Sequence, residues 1–309
     1  MTEQNGPRLL AVSQIPPDLR AALTQRYGLA DHAGGPAPGY NVAVTMSVFG
    51  VNAALMDSLP DLKLIACNGA GLERIDLAEA KRRGIAVCHT PDELAEDVAD
   101  CAIALTYAIM RRIVEADRFV HAGRWSKERM APSRRLAGKT VGIVGLGRIG
   151  RVVAQRAGAI GMHVLYSGPN AKPNVPYPFV ESVLELAERS DVLFLSCPGG
   201  EATRYLVGRT VLERLGPDGY LVNVARGSVV DEAALIAALQ ERKIAGAALD
   251  VFASEPNIDP RFLALDNVVL QPHSASITHE TRAAMLARLI GDIAAYAEGR
   301  PFHNAAATV

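Results

Sequence analysis

Three side chains able to bind or protonate a substrate follow apolar strands in the second half of this 309-residue chain. Arg226 ends the segment LVNVAR, and His273 follows NVVLQP. Glu255 lies in ALDVFASEP, with Asp250 ahead of it. Open α/β sheets bind their ligands beyond the carboxyl ends of their strands, so these positions are candidates for a catalytic site. Taken singly, each residue also has a structural explanation: a turn cap, a solvated loop acid and a hydrogen-bonded core histidine.

Together, the three side chains supply the groups that reduction of a carbonyl requires. A histidine can donate a proton to the carbonyl oxygen near neutral pH while a hydride reaches the carbon. A neighbouring carboxylate orients the imidazole and favours its protonated form. An arginine binds a substrate carboxylate with two parallel hydrogen bonds and helps to polarise the carbonyl. We therefore predict Arg226, Glu255 and His273 as catalytic residues.

A glycine-rich loop in VGIVGLGRIGRVVAQ predicts a phosphate-binding turn. Its six residues are Gly145, Leu146, Gly147, Arg148, Ile149 and Gly150. The first glycine allows the tight turn, the second lets the backbone approach a pyrophosphate, and the third lets helix and strand pack closely. An apolar strand before the loop and an amphipathic helix after it favour dinucleotide binding over a plain β-turn-α connection.

The stretch YSGPNAKPN, residues 166–174, lies where an acidic residue would bind the adenosine ribose of NAD. It contains no acid, so nothing in it would repel the 2′-phosphate of NADP. Ser167 and Asn170 can donate hydrogen bonds, and Lys172 is the nearby cation. NADP is the predicted cofactor, with NAD also open, and a solvated loop without a role in cofactor choice is the alternative.

Two α/β domains can position these residues. The first 95 or so residues alternate short apolar runs with helical patterns, and a second alternation with six strand candidates begins after Lys139. Such alternation predicts a doubly wound parallel sheet in each domain. A long, largely apolar helix is expected over residues 92–122, and the last amphipathic helix returns to the first domain. The predicted domains are residues 1–95 with 280–309 for the substrate and 96–279 for the dinucleotide.

Composition argues against several other functions. The formal net charge is −1, from 32 basic and 33 acidic residues, which gives no field to attract nucleic acid or an anionic membrane. The start MTEQNGPR lacks the pattern of a signal peptide, and no apolar run is long enough to span a bilayer. The four cysteines show no paired spacing, and no histidine–carboxylate spacing indicates a metal. We expect a cytoplasmic protein without a metal ion.

The order of the motifs resembles the D-2-hydroxyacid dehydrogenase family. GLGRIG, VNVARGSVVDEAALIAAL, ALDVFASEP and PHSAS occur in the family's order, and the resemblance runs over about residues 62–284. It is strongest to the glyoxylate/hydroxypyruvate reductase branch. The resemblance implies a flavodoxin-like substrate domain, a Rossmann dinucleotide-binding domain and a homodimer formed through the long helix.

The resemblance also assigns roles to further residues. The substrate carboxylate would be bound in CNGAGLERID by Asn68, Gly69, Ala70 and Gly71, whose successive N–H groups suit an anion. Asp250 would lie near the nicotinamide carboxamide, and Trp125 would reach the partner's active site, with a simple interface anchor as the alternative. Further cofactor contacts are implied at Cys197, Pro198, Thr203, Val224, Ala225 and Ser276. The chain departs from related reductases at Pro169, where they commonly have an arginine.

Two alternatives stay open at this point. The same catalytic groups would serve the reduction of a sugar-derived 2-oxo acid such as 2-ketogluconate. From a different class, relatives of this fold act as dinucleotide-sensing corepressors and can keep all three catalytic residues. The absence of a basic patch and of a polar interaction tail argues against that second role.

Overall fold

The computed structural model describes residues 6–303 and residue 305. Within that part of the chain, the eleven β-strands are β1 (Leu9–Ala11), β2 (Ala30–Asp31), β3 (Val42–Met46), β4 (Leu64–Asn68), β5 (Ala86–His89), β6 (Thr140–Val144), β7 (His163–Ser167), β8 (Val192–Leu195), β9 (Tyr220–Asn223), β10 (Gly246–Leu249) and β11 (Val268–Leu270). The ten α-helices of the same part are α1 (Pro17–Tyr27), α2 (Ala53–Asp57), α3 (Leu77–Arg82), α4 (Ala95–Met110), α5 (Ile113–His121), α6 (Arg148–Ala159), α7 (Val183–Glu188), α8 (Arg209–Leu215), α9 (Glu232–Gln240) and α10 (His279–Ala297).

The chain forms two compact units. The first contains the residues up to Leu94 together with those from Thr278 onward, and the second is Ala95–Ile277. Each unit is an α/β fold with its own parallel sheet.

The sheet of the first unit has the strand order β2-β1-β3-β4-β5, and all neighbours are parallel. This is the flavodoxin-like order, with its reversal between β1 and β3, as the resemblance implied. The strands read as nearly continuous apolar runs because both faces are buried. Leu9 and Leu64 pack on the face covered by α1 and by Leu289 and Ile293 of α10, whereas Leu10 packs on the opposite face.

The sheet of the second unit contains all six strands that the sequence predicts, in the order β11-β10-β9-β8-β6-β7. Phe179 extends the free edge of β7 through a parallel bridge to Tyr166. If this bridge is counted as a short third strand, the sheet has the order of a Rossmann fold with one added strand. The order reverses between β6 and β8, so a crevice for a ligand is expected at their carboxyl ends.

The predicted single helix over residues 92–122 is wrong, because the structure divides it into α4 and α5. Arg112 adopts a left-handed conformation with φ of 54° and interrupts the helix. Hydrogen bonds stabilise the chain on both sides of this break. The Arg112 guanidinium donates to Glu115 at 2.6 Å, and the N–H of Arg134 donates to the carbonyl of Met110 at 3.0 Å.

Helix α7 packs so closely on β6 that only a glycine fits at position 142. A Cβ on Gly142 would lie 2.2 Å from Ser190 Oγ and 2.8 Å from Leu186 Cγ, so an added methyl group must push the helix away. The carboxyl end of β6, from which the glycine loop leaves, therefore depends on this close packing.

Replacing Gly142 by Ala should destabilise the protein by about 1–3 kcal/mol, as overpacking of a filled core does. Gly158→Ala is the matched control. It lies in α6, its Cβ would meet no atom within 4 Å, and alanine is the better helix former, so it should leave stability unchanged or raise it by up to about 1 kcal/mol. Thermal unfolding of the two variants measures the difference. Equal effects of both substitutions would contradict this packing argument.

Candidate active site

Most of the predicted site residues lie together because they follow the parallel strands of the second unit at their carboxyl ends. They are the loop Gly145–Gly150 after β6, Asn170 and Lys172 after β7, Cys197 and Pro198 after β8, Val224 to Arg226 after β9, Asp250 and Glu255 after β10, and His273 and Ser276 after β11.

The turn after β9 holds Arg226 in a fixed backbone position. Asn223 is 1% exposed, and its side-chain amide donates to the carbonyl of Arg226 at 3.1 Å. The amide oxygen of Asn223 accepts the N–H of Ala225 at 3.0 Å. Gly199, in the turn after β8, lies against the Arg226 side chain. A Cβ on Gly199 would lie 2.9 Å from Arg226 Cγ, so a glycine is needed at this position. The guanidinium Nη1 donates to the Ala225 carbonyl at 2.7 Å.

The turns after β9 and β10 touch through their backbones. A Cβ on Gly227 would fall 1.9 Å from the carbonyl carbon of Phe252. Any larger residue would therefore separate Arg226 from the loop that carries Glu255. The charge of Arg226 is close enough to stabilise the ionised Glu255 carboxylate.

Glu255 and His273 form the central pair of the site. Glu255 Oε2 lies 2.7 Å from His273 Nδ1, and the two side chains are 28% and 30% exposed. The other carboxylate oxygen of Glu255 accepts the N–H of Phe252 at 2.8 Å, which fixes the carboxylate in one orientation. The imidazole is thus held through Nδ1, which leaves Nε2 to exchange a proton with a substrate.

Burial acts to raise the pKa of Glu255, but the opposing interactions are stronger. The hydrogen bonds from His273 and from the N–H of Phe252, together with the charges of His273 and Arg226, lower the pKa of Glu255 below its ordinary value. Glu255 is therefore a carboxylate throughout the neutral pH range.

His273 has a left-handed backbone with φ of 52°, a conformation that is unfavourable for a residue with a side chain. Asp250, which is 1% exposed, holds the loop in place. Its two oxygens accept the N–H groups of Ser274 at 2.8 Å and Ala275 at 3.1 Å. Burial raises the pKa of Asp250, and these two hydrogen bonds partly offset the increase. The contacts of Asp250 thus position His273, while its predicted place near the nicotinamide carboxamide stays a prediction.

The glycine loop has the shape that a dinucleotide needs. A Cβ on Gly145 would meet the backbone of Cys197 at 2.7 Å, and one on Gly150 would meet the Gly145 carbonyl at 2.2 Å. A Cβ on Gly147, by contrast, would meet no atom within 4 Å. Two glycines therefore close the turn, and the third leaves open space at the start of α6 where a pyrophosphate can approach. Leu146 is buried below the loop.

The turn after β7 needs a correction to one predicted contact. Ser167 is 1% exposed, and its hydroxyl points to the Glu181 carbonyl at 3.4 Å. Because this side chain packs inward at the end of β7, it does not present its hydroxyl to a phosphate at the surface. Asn170 and Lys172 are exposed, and we keep the prediction of a 2′-phosphate contact for these two.

The remaining predicted cofactor residues line the neighbouring turns. Cys197 is buried, and burial raises the pKa of its thiol to about 11. Thr203 donates to the Pro198 carbonyl at 2.7 Å and so closes the turn after β8. Four others in this set are half-buried or buried: Ile149 at the start of α6, Val224 and Ala225 after β9, and Ser276 after β11. Arg148, also at the start of α6, is exposed. Their contacts with a cofactor stay predictions.

In the first unit, the turn after β4 offers two N–H groups to an anion. The N–H of Gly69 is already bound to Thr90 Oγ1 at 2.9 Å, and the carbonyl of Ala70 lies 3.0 Å from His89 Nδ1. Among the described residues, the N–H groups of Ala70 and Gly71 have no acceptor. In the same part of the chain, Oδ1 of the buried Asn68 has no hydrogen-bond partner. The turn therefore fits the carboxylate site that the resemblance implies.

Three residues that hold this geometry were not predicted from the sequence. Asn223 fixes the turn of Arg226, and Thr90 fixes the anion turn. Glu232 accepts the N–H of Ala253 at 2.7 Å and so anchors the loop that carries Glu255. A polar residue inside the apolar run YLVNVA was the available signal for Asn223, whereas nothing local indicated the distant partner of Glu232.

Among the residues that the structure describes, no group of three or more His, Cys, Asp or Glu side chains could hold a metal ion. None of the described helices is long and apolar enough to cross a bilayer.

The chain is similar to known proteins over most of its length. The family model for the NAD-binding domain of D-isomer specific 2-hydroxyacid dehydrogenases matches residues 103–275. A 2-ketogluconate reductase from Gluconobacter oxydans is 44% identical over 295 residues, which are 94% of this chain and 95% of that protein. A glyoxylate/hydroxypyruvate reductase from Arabidopsis thaliana is 44% identical over 251 residues, 81% of this chain and 80% of its own.

A solved structure shows the same fold over nearly the whole chain. The NADPH-dependent glyoxylate/hydroxypyruvate reductase from Sinorhizobium meliloti, determined with NADP and malonate, superposes with a TM-score of 0.92 and is 36% identical. The match covers 98% of this chain and 97% of that one. The chain therefore belongs to the D-isomer specific 2-hydroxyacid dehydrogenase family, whose members are NAD(P)-dependent oxidoreductases.

Proposed function

We propose that this protein is an NADPH-preferring reductase that converts small 2-oxo acids, foremost glyoxylate and hydroxypyruvate, into D-2-hydroxy acids. The observation that carries the proposal is the 2.7 Å hydrogen bond between His273 and Glu255. It holds an acid–base pair in a turn that adjoins the turn of Arg226, on the same sheet edge as the dinucleotide loop. The names of the relatives support the same chemistry.

His273 is the proton donor in this proposal. Its Nδ1 is bound to Glu255, so the proton moves from Nε2 to the carbonyl oxygen as the carbonyl is reduced. The bound nicotinamide supplies the hydride. The ionised Glu255 stabilises the imidazolium before the transfer and keeps the ring oriented.

Arg226 binds the substrate carboxylate and polarises the carbonyl. Its guanidinium has a planar fork of donors that matches a carboxylate. In the first unit, the N–H groups of Ala70 and Gly71 are proposed to bind a carboxylate, since successive backbone amides form an anion site.

The turn after β7 supports NADP over NAD. It has no carboxylate to repel a 2′-phosphate, and the exposed Lys172 and Asn170 can bind one. Pro169 replaces the arginine that is common in related reductases, so Lys172 carries the only positive charge of the segment 166–174. The related Sinorhizobium enzyme was determined with NADP.

Reduction of 2-ketogluconate is the second candidate. Its support is the relative from Gluconobacter oxydans, which matches 94% of this chain, compared with 81% for the plant glyoxylate/hydroxypyruvate reductase. The catalytic groups serve both substrates, so the two candidates differ only in the size of the acid accepted.

A homodimer and a cytoplasmic location are further parts of the proposal. Large apolar side chains are exposed along α5 and the 3₁₀ turn that follows it, as expected of a surface that a second copy covers. They are Ile113, Val114, Val120 and Trp125, with exposures of 51%, 37%, 53% and 61%. The role of Trp125 in a partner's site stays a prediction. The cytoplasm stays the location that we propose.

The proposal is tested by a panel of 2-oxo acids. The purified protein is assayed with glyoxylate, hydroxypyruvate, 2-ketogluconate and phenylpyruvate against NADPH and NADH, and cofactor oxidation is followed by absorbance. We expect turnover of glyoxylate and hydroxypyruvate with NADPH. No oxidation of either cofactor with any acid would overturn the proposal and favour a dinucleotide-sensing corepressor.

Glu255→Gln should lower kcat by about 10²-fold, a typical contribution of acid–base catalysis. Glutamine can keep the hydrogen bond from Phe252 but not the negative charge beside the imidazolium. Because the pKa of Glu255 is lowered, the wild-type carboxylate is charged at neutral pH. The variant lacks this charge, so its kcat should differ from that of the wild type at neutral pH.

The control for this variant is Glu241→Gln, which removes an exposed carboxylate from the end of α9. The measurement is kcat for glyoxylate reduction at neutral pH. An unchanged kcat in Glu255→Gln would show that the pair does not carry the chemistry.

Lys172→Glu should lower the ratio of kcat/KM with NADPH to that with NADH by about tenfold or more. The reason is that a charged hydrogen bond of ~1.5–3 kcal/mol is lost and a like charge is placed near the 2′-phosphate. Lys243→Glu is the matched control, since this exposed lysine lies at the amino end of β10, on the opposite edge of the sheet. Equal ratios for wild type and Lys172→Glu would exclude the turn as the selector.

A further inference from the structure

We propose that a cleft in the first unit, lined by Gln14, Phe49, Asn52 and Arg74, binds the distal hydroxyl groups of a polyhydroxylated six-carbon 2-oxo acid. The inference rests on the proposed function and names the larger substrate class that the same reductase accepts. It assigns specificity to side chains outside the catalytic groups.

The cleft opens where the sheet of the first unit reverses its strand order. It has a volume of about 480 Å³ and is lined by residues that follow β1, by residues that follow β3 and by one residue from the segment before α3. These lining residues are Val12, Ser13, Gln14, Phe49, Gly50, Asn52, Leu55 and Arg74. The reversal lies between β1 and β3, which is the general place for a ligand in an open parallel sheet.

The walls of the cleft are held rigidly by backbone contacts. Gly50 has φ of 71°, and a Cβ there would fall 2.0 Å from the Arg74 carbonyl oxygen. The N–H of Val51 donates to that same oxygen at 3.1 Å, and Thr45 Oγ1 donates to the Gly50 carbonyl at 3.1 Å. The loop after β3 and the backbone of Arg74 therefore form one fixed surface.

Some polar side chains of the cleft can form hydrogen bonds with the hydroxyl groups of a ligand. The Ser13 hydroxyl is occupied, because it accepts the N–H of Met46 and contacts Thr45 Oγ1, both at 3.3 Å. Gln14 and Arg74 are exposed. Over the residues that the structure describes, the Arg74 guanidinium has no carboxylate partner.

Asn52 completes the set of polar groups. It uses only its side-chain oxygen, to accept the N–H of Leu55 at 2.9 Å, so its NH₂ group can still donate. Planar amide and guanidinium groups beside an aromatic ring, here the 54% exposed Phe49, offer both donors and an apolar face to a chain of CHOH units.

Distance decides which acids can reach the cleft. The carboxylate turn follows β4, and Gln14 follows β1, which is two strands away, so the two lie about 10 Å apart at ~4.8 Å per strand. An extended carbon chain covers about 1.2 Å per bond, so six carbons with their terminal oxygens span ~8 Å and reach Gln14 with one hydrogen bond. A two-carbon acid such as glyoxylate stays at the turn.

The test compares a long and a short substrate in the same variants. Wild type, Gln14→Ala, Arg74→Ala and the double variant are assayed with NADPH against 2-ketogluconate and glyoxylate. We expect the ratio of kcat/KM for 2-ketogluconate to that for glyoxylate to fall about tenfold in each single variant and further in the double variant, mainly through KM. Gln25→Ala on α1 and Lys63→Ala at the amino end of β4 are matched controls that should keep the wild-type ratio.

Three results would overturn the inference. The first is that the wild-type enzyme fails to reduce 2-ketogluconate. The second is that the double variant keeps the wild-type ratio of kcat/KM for 2-ketogluconate to that for glyoxylate, and the third is that the variants lower turnover of phenylpyruvate but not of 2-ketogluconate. The failure of the proposed function looks different, since no cofactor is then oxidised with glyoxylate either.

Discussion

The hydrogen bond between His273 Nδ1 and Glu255 Oε2 is the interaction on which the site depends. His273 keeps an unfavourable left-handed backbone, with φ of 52°, because both oxygens of the buried Asp250 bind the two N–H groups that follow it. Glu255 is fixed in turn by the N–H of Phe252. Strain of this kind persists only where the surrounding structure determines the conformation, and here it holds the imidazole beside the Glu255 carboxylate.

The parallel sheet of the second unit brings most of the other predicted site residues of this unit close to the His273–Glu255 pair. Parallel strands end at one edge, so residues that lie far apart in the chain meet there. The meeting is close because glycines allow the turns to touch, most tightly where Gly227 lies against the carbonyl of Phe252. The same edge carries the glycine loop, so the fold brings this loop and the His273–Glu255 pair to one edge of the sheet.

The sequence predicts much of this arrangement, and the failures share a physical cause. Strand patterns, the glycine loop and the residues Arg226, Glu255 and His273 are local signals in the sequence. Strands β6 to β11 form where these patterns predict them. The break at Arg112 depends on capping by Arg134, a residue distant in the chain. The inward side chain of Ser167 depends on a contact with Glu181. The hydrogen bonds by which Asp250 holds the loop after β11 were not predicted either, because their partners are distant in the chain. Tertiary partners of this kind leave no periodic pattern in the sequence.

His273 is proposed to donate the proton in reduction of a 2-oxo acid. The most direct test of this role compares NADPH oxidation with glyoxylate by wild type and by His273→Ala, together with NADPH binding by fluorescence titration. We expect turnover to fall by about 10²–10⁴-fold, as for loss of a general acid, while NADPH affinity is retained. Turnover near the wild-type rate in His273→Ala, with the protein folded and binding NADPH, would contradict the proposed role.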